Sequence, residues 1–178
     1  MADVSLGLQL NANAFVGDAT GIVDGSDVAA TVGRVEERMY WEFADGSDEV
    51  AIVLAAPVRM PTQYDGTSSI AFDIGWFSGA AGAGDQVHLE VAVEALTESD
   101  AHDLSAGGDF FAAAVGVSDT VDVAQGEPAT CRVTLTNAQA DAVAVGDWVR
   151  IVVRRNTQHA DDDHATQINI TSVEILQV

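Results

Sequence analysis

Gln86-Val87-His88-Leu89-Glu90-Val91-Ala92-Val93-Glu94 places aliphatic residues at 87, 89, 91 and 93 and ionisable ones at 88, 90 and 94. A period of two sends alternate side chains to opposite faces of a pleated strand, so this stretch predicts a β-strand with one apolar face. The same alternation recurs on either side of it. Val4, Leu6, Leu8 and Leu10 form one set, Met39, Trp41 and Phe43 a second, and Val50, Ile52 and Leu54 a third. Ile70, Phe72, Ile74 and Trp76 form a fourth, with Asp73 on the polar side. Further on come Val121 and Val123, then Cys131, Val133 and Leu135, then Val149, Ile151 and Val153, then Ile168 and Ile170. In that last run the apolar parity shifts to Val173 and Ile175. One inserted residue exchanges the two faces of a strand, so a β-bulge is expected near Thr171 and Ser172.

Turn-forming groups separate these runs: Ala44-Asp45-Gly46-Ser47, Tyr64-Asp65-Gly66, residues 78–85 and Gly126-Glu127-Pro128. About eight or nine short strands punctuated in this way predict an all-β, antiparallel sandwich or barrel rather than a βαβ fold. Residues 34–178 make up the sheet-forming body. Residues 1–33 supply a first strand and then an arm or long loop, Asn11 to Val32, within a single globular domain. Leu96 to Gly108 reads as a loop. The one helix expected is a turn or two from Ala138 to Val145, with Asn137 as N-cap and Gly146 as the stop.

The chain has 178 residues, 48% of them hydrophobic, and a formal net charge of -21 from 28 acidic and 7 basic residues. That apolar content is too high for a disordered polyanion, so a packed domain is expected. The charge opposes nucleic acid and anionic lipid as partners. All seven basic residues are arginine. A GC-rich genome and a saline habitat both produce this bias, and they are compatible. No stretch approaches the roughly 20 apolar residues needed to cross a bilayer, and the N-terminus lacks the pattern of a secretory leader. The sequon Asn169-Ile170-Thr171 therefore reads as three strand residues. Cys131, lone within an alternating run, reads as a small core thiol.

Candidate chemistry is sparse. Gln158-His159-Ala160-Asp161-Asp162-Asp163-His164 offers oxygen and imidazole donors for calcium, but it lacks EF-hand spacing and helical zinc spacing. A solvated acidic hairpin tip accounts for it as well, and no metal is assigned. Glu90 and Glu94 share a face with His88, as they would on any solvated strand. With no nucleophile elbow, phosphate loop, dinucleotide fingerprint or zinc-protease motif, no catalytic residue and no cofactor is assigned, and the chain is expected not to be an enzyme. Arg150 and Arg154 share a strand face with Trp148, a composition enriched at interfaces, unless nearby acids neutralise them. Tyr40, Trp41, Trp76, Phe77, Phe110 and Phe111 invite a sugar-stacking reading. Trp41 and Trp76 nevertheless lie on the apolar parity, which favours packing.

Several stretches resemble a family of small jelly-roll virion proteins of tailed bacteriophages: residues 61–66 with the strand Ile70 to Trp76, Val87 to Val93, residues 146–155, and residues 163–175. The likeness covers about Met39 to Val178 and includes no catalytic signature. It implies a jelly-roll β-sandwich on the outer surface of the virion, a capsid decoration (cement) protein bound to the major capsid protein lattice, with a homotrimer favoured. The alternative is a glycan-binding jelly-roll module of a tail or fibre, used in host attachment.

Overall fold

The computed structural model describes residues 3–18, 28–35, 38–46, 49–98, 111–121 and 124–178. Thirteen strand segments run through them: β1 (Val4–Asn11), β2 (Phe15–Asp18), β3 (Val28–Ala29), β4 (Thr31–Val35), β5 (Arg38–Phe43), β6 (Val50–Leu54), β7 (Val58–Arg59), β8 (Ile70–Ser78), β9 (Gln86–Leu96), β10 (Val115–Thr120), β11 (Pro128–Leu135), β12 (Trp148–Arg155) and β13 (Ile168–Gln177). Sheet A has the order β11-β8-β13-β5-β4, with β1 also paired to β13. Sheet B has the order β10-β9-β12-β6-β2, with β3 on β6 and β7 on β12. Every pairing is antiparallel except the two-residue contact of β3 with β6. The result is the expected sandwich, of jelly-roll type.

Alternation puts the inward residues of both sheets into one core. Phe72, Ile74 and Trp76 of β8, Leu89, Val91 and Val93 of β9, and Val149, Ile151 and Val153 of β12 are all buried there. Each such side chain contributes on the order of 1.5–3 kcal/mol through burial. Cys131 is buried in the same cluster.

The expected bulge is present. β13 pairs with β8 with a register shift between Ile170 and Ser172. On its other edge β13 pairs with β5 over Ile168–Ile170 and with β1 from Ser172 onward. The extra residue thus falls where β13 changes neighbours, and the Arg38–Tyr40 end of β5 is left with β4 alone. This explains why Met39 is exposed despite its apolar parity, while Trp41 packs against the core and donates its indole N–H to the Ala12 carbonyl at 2.6 Å.

The expected helix from Ala138 to Val145 is absent: these residues form turns. Asp141 and Ala142 take φ of 58° and 52°, outside the right-handed helical region. Asn137 is no helix cap. Its amide donates to Tyr64 Oη at 3.0 Å and to the Val143 carbonyl at 2.8 Å, pinning the turn to the loop before β8. Of the segment Asn11 to Val32, residues 11–18 and 28–32 are described and contribute to both sheets. Within Leu96 to Gly108, positions from 99 on lie outside the described residues.

Candidate functional site

The outward face of sheet A carries an open-sided pocket of about 490 Å³. It spans β5, β8, β13 and the approach to β11. Its described lining is Arg38, Met39, Tyr40, Trp76, Phe77, Ser78, Gly79, Gln125, Gly126, Pro128, Gln167, Asn169 and Thr171. Local sequence explains how the polar and aromatic groups come together. Tyr40 and Phe77 occupy the outward parity of β5 and β8, on either side of β13, and meet edge to face with ring centroids 5.2 Å apart. Gly33, the cross-strand neighbour of Tyr40, leaves room for that ring: a Cβ there would collide with it. Thr171, the bulge residue, donates its hydroxyl to the Gly75 carbonyl at 3.0 Å.

Asn169 lies on the same outward face of β13, in register opposite Phe77 on one side and Glu42 on the other. It is 1% exposed, its Nδ2 faces the Phe77 carbonyl at 3.5 Å, and its Oδ1 has no hydrogen-bond partner among the described residues. Exchanging the amide atoms would set Oδ1 against that carbonyl, so the orientation follows from the neighbour. A buried acceptor left unpaired costs about 1–3 kcal/mol. The Gln125 amide donates to the Gly79 carbonyl at 2.6 Å and ties one wall to the turn after β8. The pocket therefore combines ring surfaces and side-chain amides.

The outward face of sheet B behaves differently from the solvated face expected of it. Glu90 and Glu94 lie directly across from Arg154 and Arg150. Arg154 donates to Glu90 at 2.5 Å and to Glu49 at 2.6 Å, and Arg150 donates to Glu94 at 2.8 Å. Arg150 also lies over the Phe111 ring at 5.1 Å. Between these ion pairs Ala51, Val53, Ala92 and Val152 form a second small apolar cluster with Phe111 and Ala114. The acids thus neutralise the arginines, and among the large hydrophobic side chains described on that face Trp148 and Val16 stand exposed. Phe110 lies outside the described residues.

The acidic stretch 158–164 is spent on structure. Arg155, fully buried, donates to both oxygens of Asp162 at 2.9 and 2.6 Å, and Asp162 also accepts the His88 backbone N–H at 2.9 Å. Asp163 accepts the Gln86 N–H at 2.6 Å. His159 stacks on His88 with centroids 3.6 Å apart and planes within 7°. Ring nitrogens direct their lone pairs within the ring plane, so two stacked imidazoles do not converge on one ion.

Ser78, His164 and Asp85 have the connectivity of a nucleophile, base and orienting acid. Ser78 Oγ is 2.8 Å from His164 Nε2, and His164 Nδ1 is 3.1 Å from Asp85. However, Ser78 and His164 are 0% and 1% exposed. The serine hydroxyl donates to the Ala80 carbonyl at 2.5 Å, and Thr166 Oγ1 competes for Nε2 at 2.7 Å. A nucleophile must reach a substrate with its hydroxyl aimed at the base. This trio instead clamps the end of β8 to the loops that lead into β9 and β13.

No protein-family model and no curated protein matches the chain. Among solved structures it is similar to the xylan-binding module CBM15, with a TM-score of 0.50 and 14% identity over 99% of this chain and 95% of that one. A non-crystalline cellulose specific carbohydrate-binding module, CBM28, gives a TM-score of 0.46 at 9% identity, over 96% and 88%. The exo-beta-1,3-galactanase of Phanerochaete chrysosporium gives 0.47 at 9% identity over 98% of this chain, which spans only 29% of the enzyme. At such identity these likenesses concern the fold, and the first of them supports the jelly-roll sandwich.

Proposed function

We propose that the chain is a non-catalytic, glycan-binding jelly-roll module that holds sugar in the pocket on the outward face of sheet A. The observation that carries this reading is the buried, unpartnered Oδ1 of Asn169 beside the Tyr40–Phe77 ring pair. A sugar presents C–H faces to aromatic surface and hydroxyl donors to amide oxygens, and a pocket of this size lies within the usual range of about 300–1,000 Å³. The fold neighbour described as a xylan-binding module supports the reading, because it is a jelly roll of nearly the same length.

Affinity electrophoresis against a panel of soluble polysaccharides tests it. At least one polymer retards the wild-type chain, and Phe77→Ala and Asn169→Leu each weaken that binding about tenfold or more, a change of about 1.4 kcal/mol. Retardation by no polymer, or undiminished binding by both variants, would refute it. Head decoration rests on the virion resemblance alone; it requires binding to purified capsids and no affinity for sugar.

A further inference from the structure

We infer that the pocket takes an anionic glycan, a chain bearing carboxylates, and that Arg38 is the residue that reads the charge; this rests on the glycan-binding reading of the same pocket. Across the chain 28 of 178 residues are acidic, yet none of the described residues lining the pocket is Asp or Glu. Arg38 is the one cation among them, exposed at the end of β5.

Five of the other arginines are committed, and Arg34, on β4, lies outside the lining. Arg132 is paired with Asp3 and Asp73, Arg150 with Glu94, Arg154 with Glu49 and Glu90, and Arg155 with Asp162. Arg59 donates to the Gly146 carbonyl. Arg38 has no hydrogen bond or ion pair among the described residues. Its planar fork matches a carboxylate, while the Gln167 and Asn169 amides elsewhere in the lining suit hydroxyls. On a chain of net charge -21, a polyanion is repelled by most of the surface and is best received where the described lining holds a guanidinium and no carboxylate.

The opposition of a local attraction to a general repulsion gives a salt signature. Raising ionic strength from about 10 mM to about 150 mM shortens the screening length from about 30 Å to about 8 Å, which weakens the distant repulsion more than the Arg38 contact. Affinity for an acidic polymer is therefore expected to rise over that range, whereas a neutral polymer is indifferent to it.

Polygalacturonate, alginate and glucuronoxylan, each beside its carboxyl-reduced form, provide the test by calorimetry at both ionic strengths. At least one acidic polymer is expected to bind about fivefold tighter than its reduced form. Arg38→Gln removes that preference, so that the acidic polymer binds no tighter than its reduced form. Arg34→Gln, on the neighbouring strand and outside the lining, keeps it. Equal binding of acidic and reduced polymers, or a preference that survives in Arg38→Gln, overturns the anionic assignment while glycan binding stands. Binding of no polymer, acidic or neutral, overturns both.

Discussion

Asn169 sits between Ile168 and Ile170 at the start of β13, surroundings that disfavour an amide unless the site needs one. Read as a strand residue from the sequence, it is one, but its burial and its place beside Phe77 come from β5 and β8, which no local pattern links to it. Asn169→Leu should leave stability unchanged or raise it by about 1 kcal/mol, because an unpaired buried acceptor is removed. Its sugar binding weakens about tenfold or more. Thermal denaturation beside calorimetry checks both, and a stability loss above about 2 kcal/mol would make the amide a structural group. His88 carries a separate pH prediction. Burial first, then the neighbouring His159, holds its imidazole below the ordinary value of 6.5, against the pull of Glu90, Asp161 and Asp162. The unfolded chain then binds this proton more readily, so the stability His88 gives is full above pH 6.5 and is lost as pH falls below it. Between pH 7.5 and 5.5 the wild type should lose more in melting temperature than His88→Gln does. Equal losses would remove the role.

At the scale of elements, period-two alternation made β8, β9, β11 and β12 legible, since each has one face in the common core. The parity shift in β13 likewise revealed its bulge. Short pieces such as β3 and β7, two residues each, carry no periodic signal and form because a neighbour offers an edge. The alternation of β9 misled in one respect, because its polar face is buried rather than solvated. Glu90 and Glu94 on one run and Arg154 and Arg150 on another, at the same spacing, were the available clue to their pairing. Breaking this ladder at one rung leaves buried carboxylates uncompensated. Arg154→Met should therefore cost about 3–5 kcal/mol in denaturant unfolding, whereas replacing Arg154, Glu90 and Glu49 together by apolar residues should recover most of it. A single substitution costing under about 1 kcal/mol would show the network to be dispensable. On sheet A, Gly33→Ala forces the Tyr40 ring to move, with an expected cost of about 1–3 kcal/mol and weakened sugar binding.

For the whole molecule, composition pointed to an acidic packed domain, and the structure adds where the acids are absent. A net charge of -21 repels itself, so the melting temperature should rise as monovalent salt increases from about 10 mM to about 500 mM. A flat response would mean that the ion pairs already balance the surface. The pocket itself was not legible as a site, since its lining is gathered from residues 38 to 171 and lacks any contiguous motif. Amide chemical-shift mapping of the isotopically labelled chain during titration with an oligosaccharide of the polymer it binds tests the location directly. The perturbed residues should centre on Tyr40, Phe77, Gln167 and Asn169. Perturbations centred instead on Trp148 and the outward face of sheet B, or none at saturating sugar, would contradict the assignment of the site.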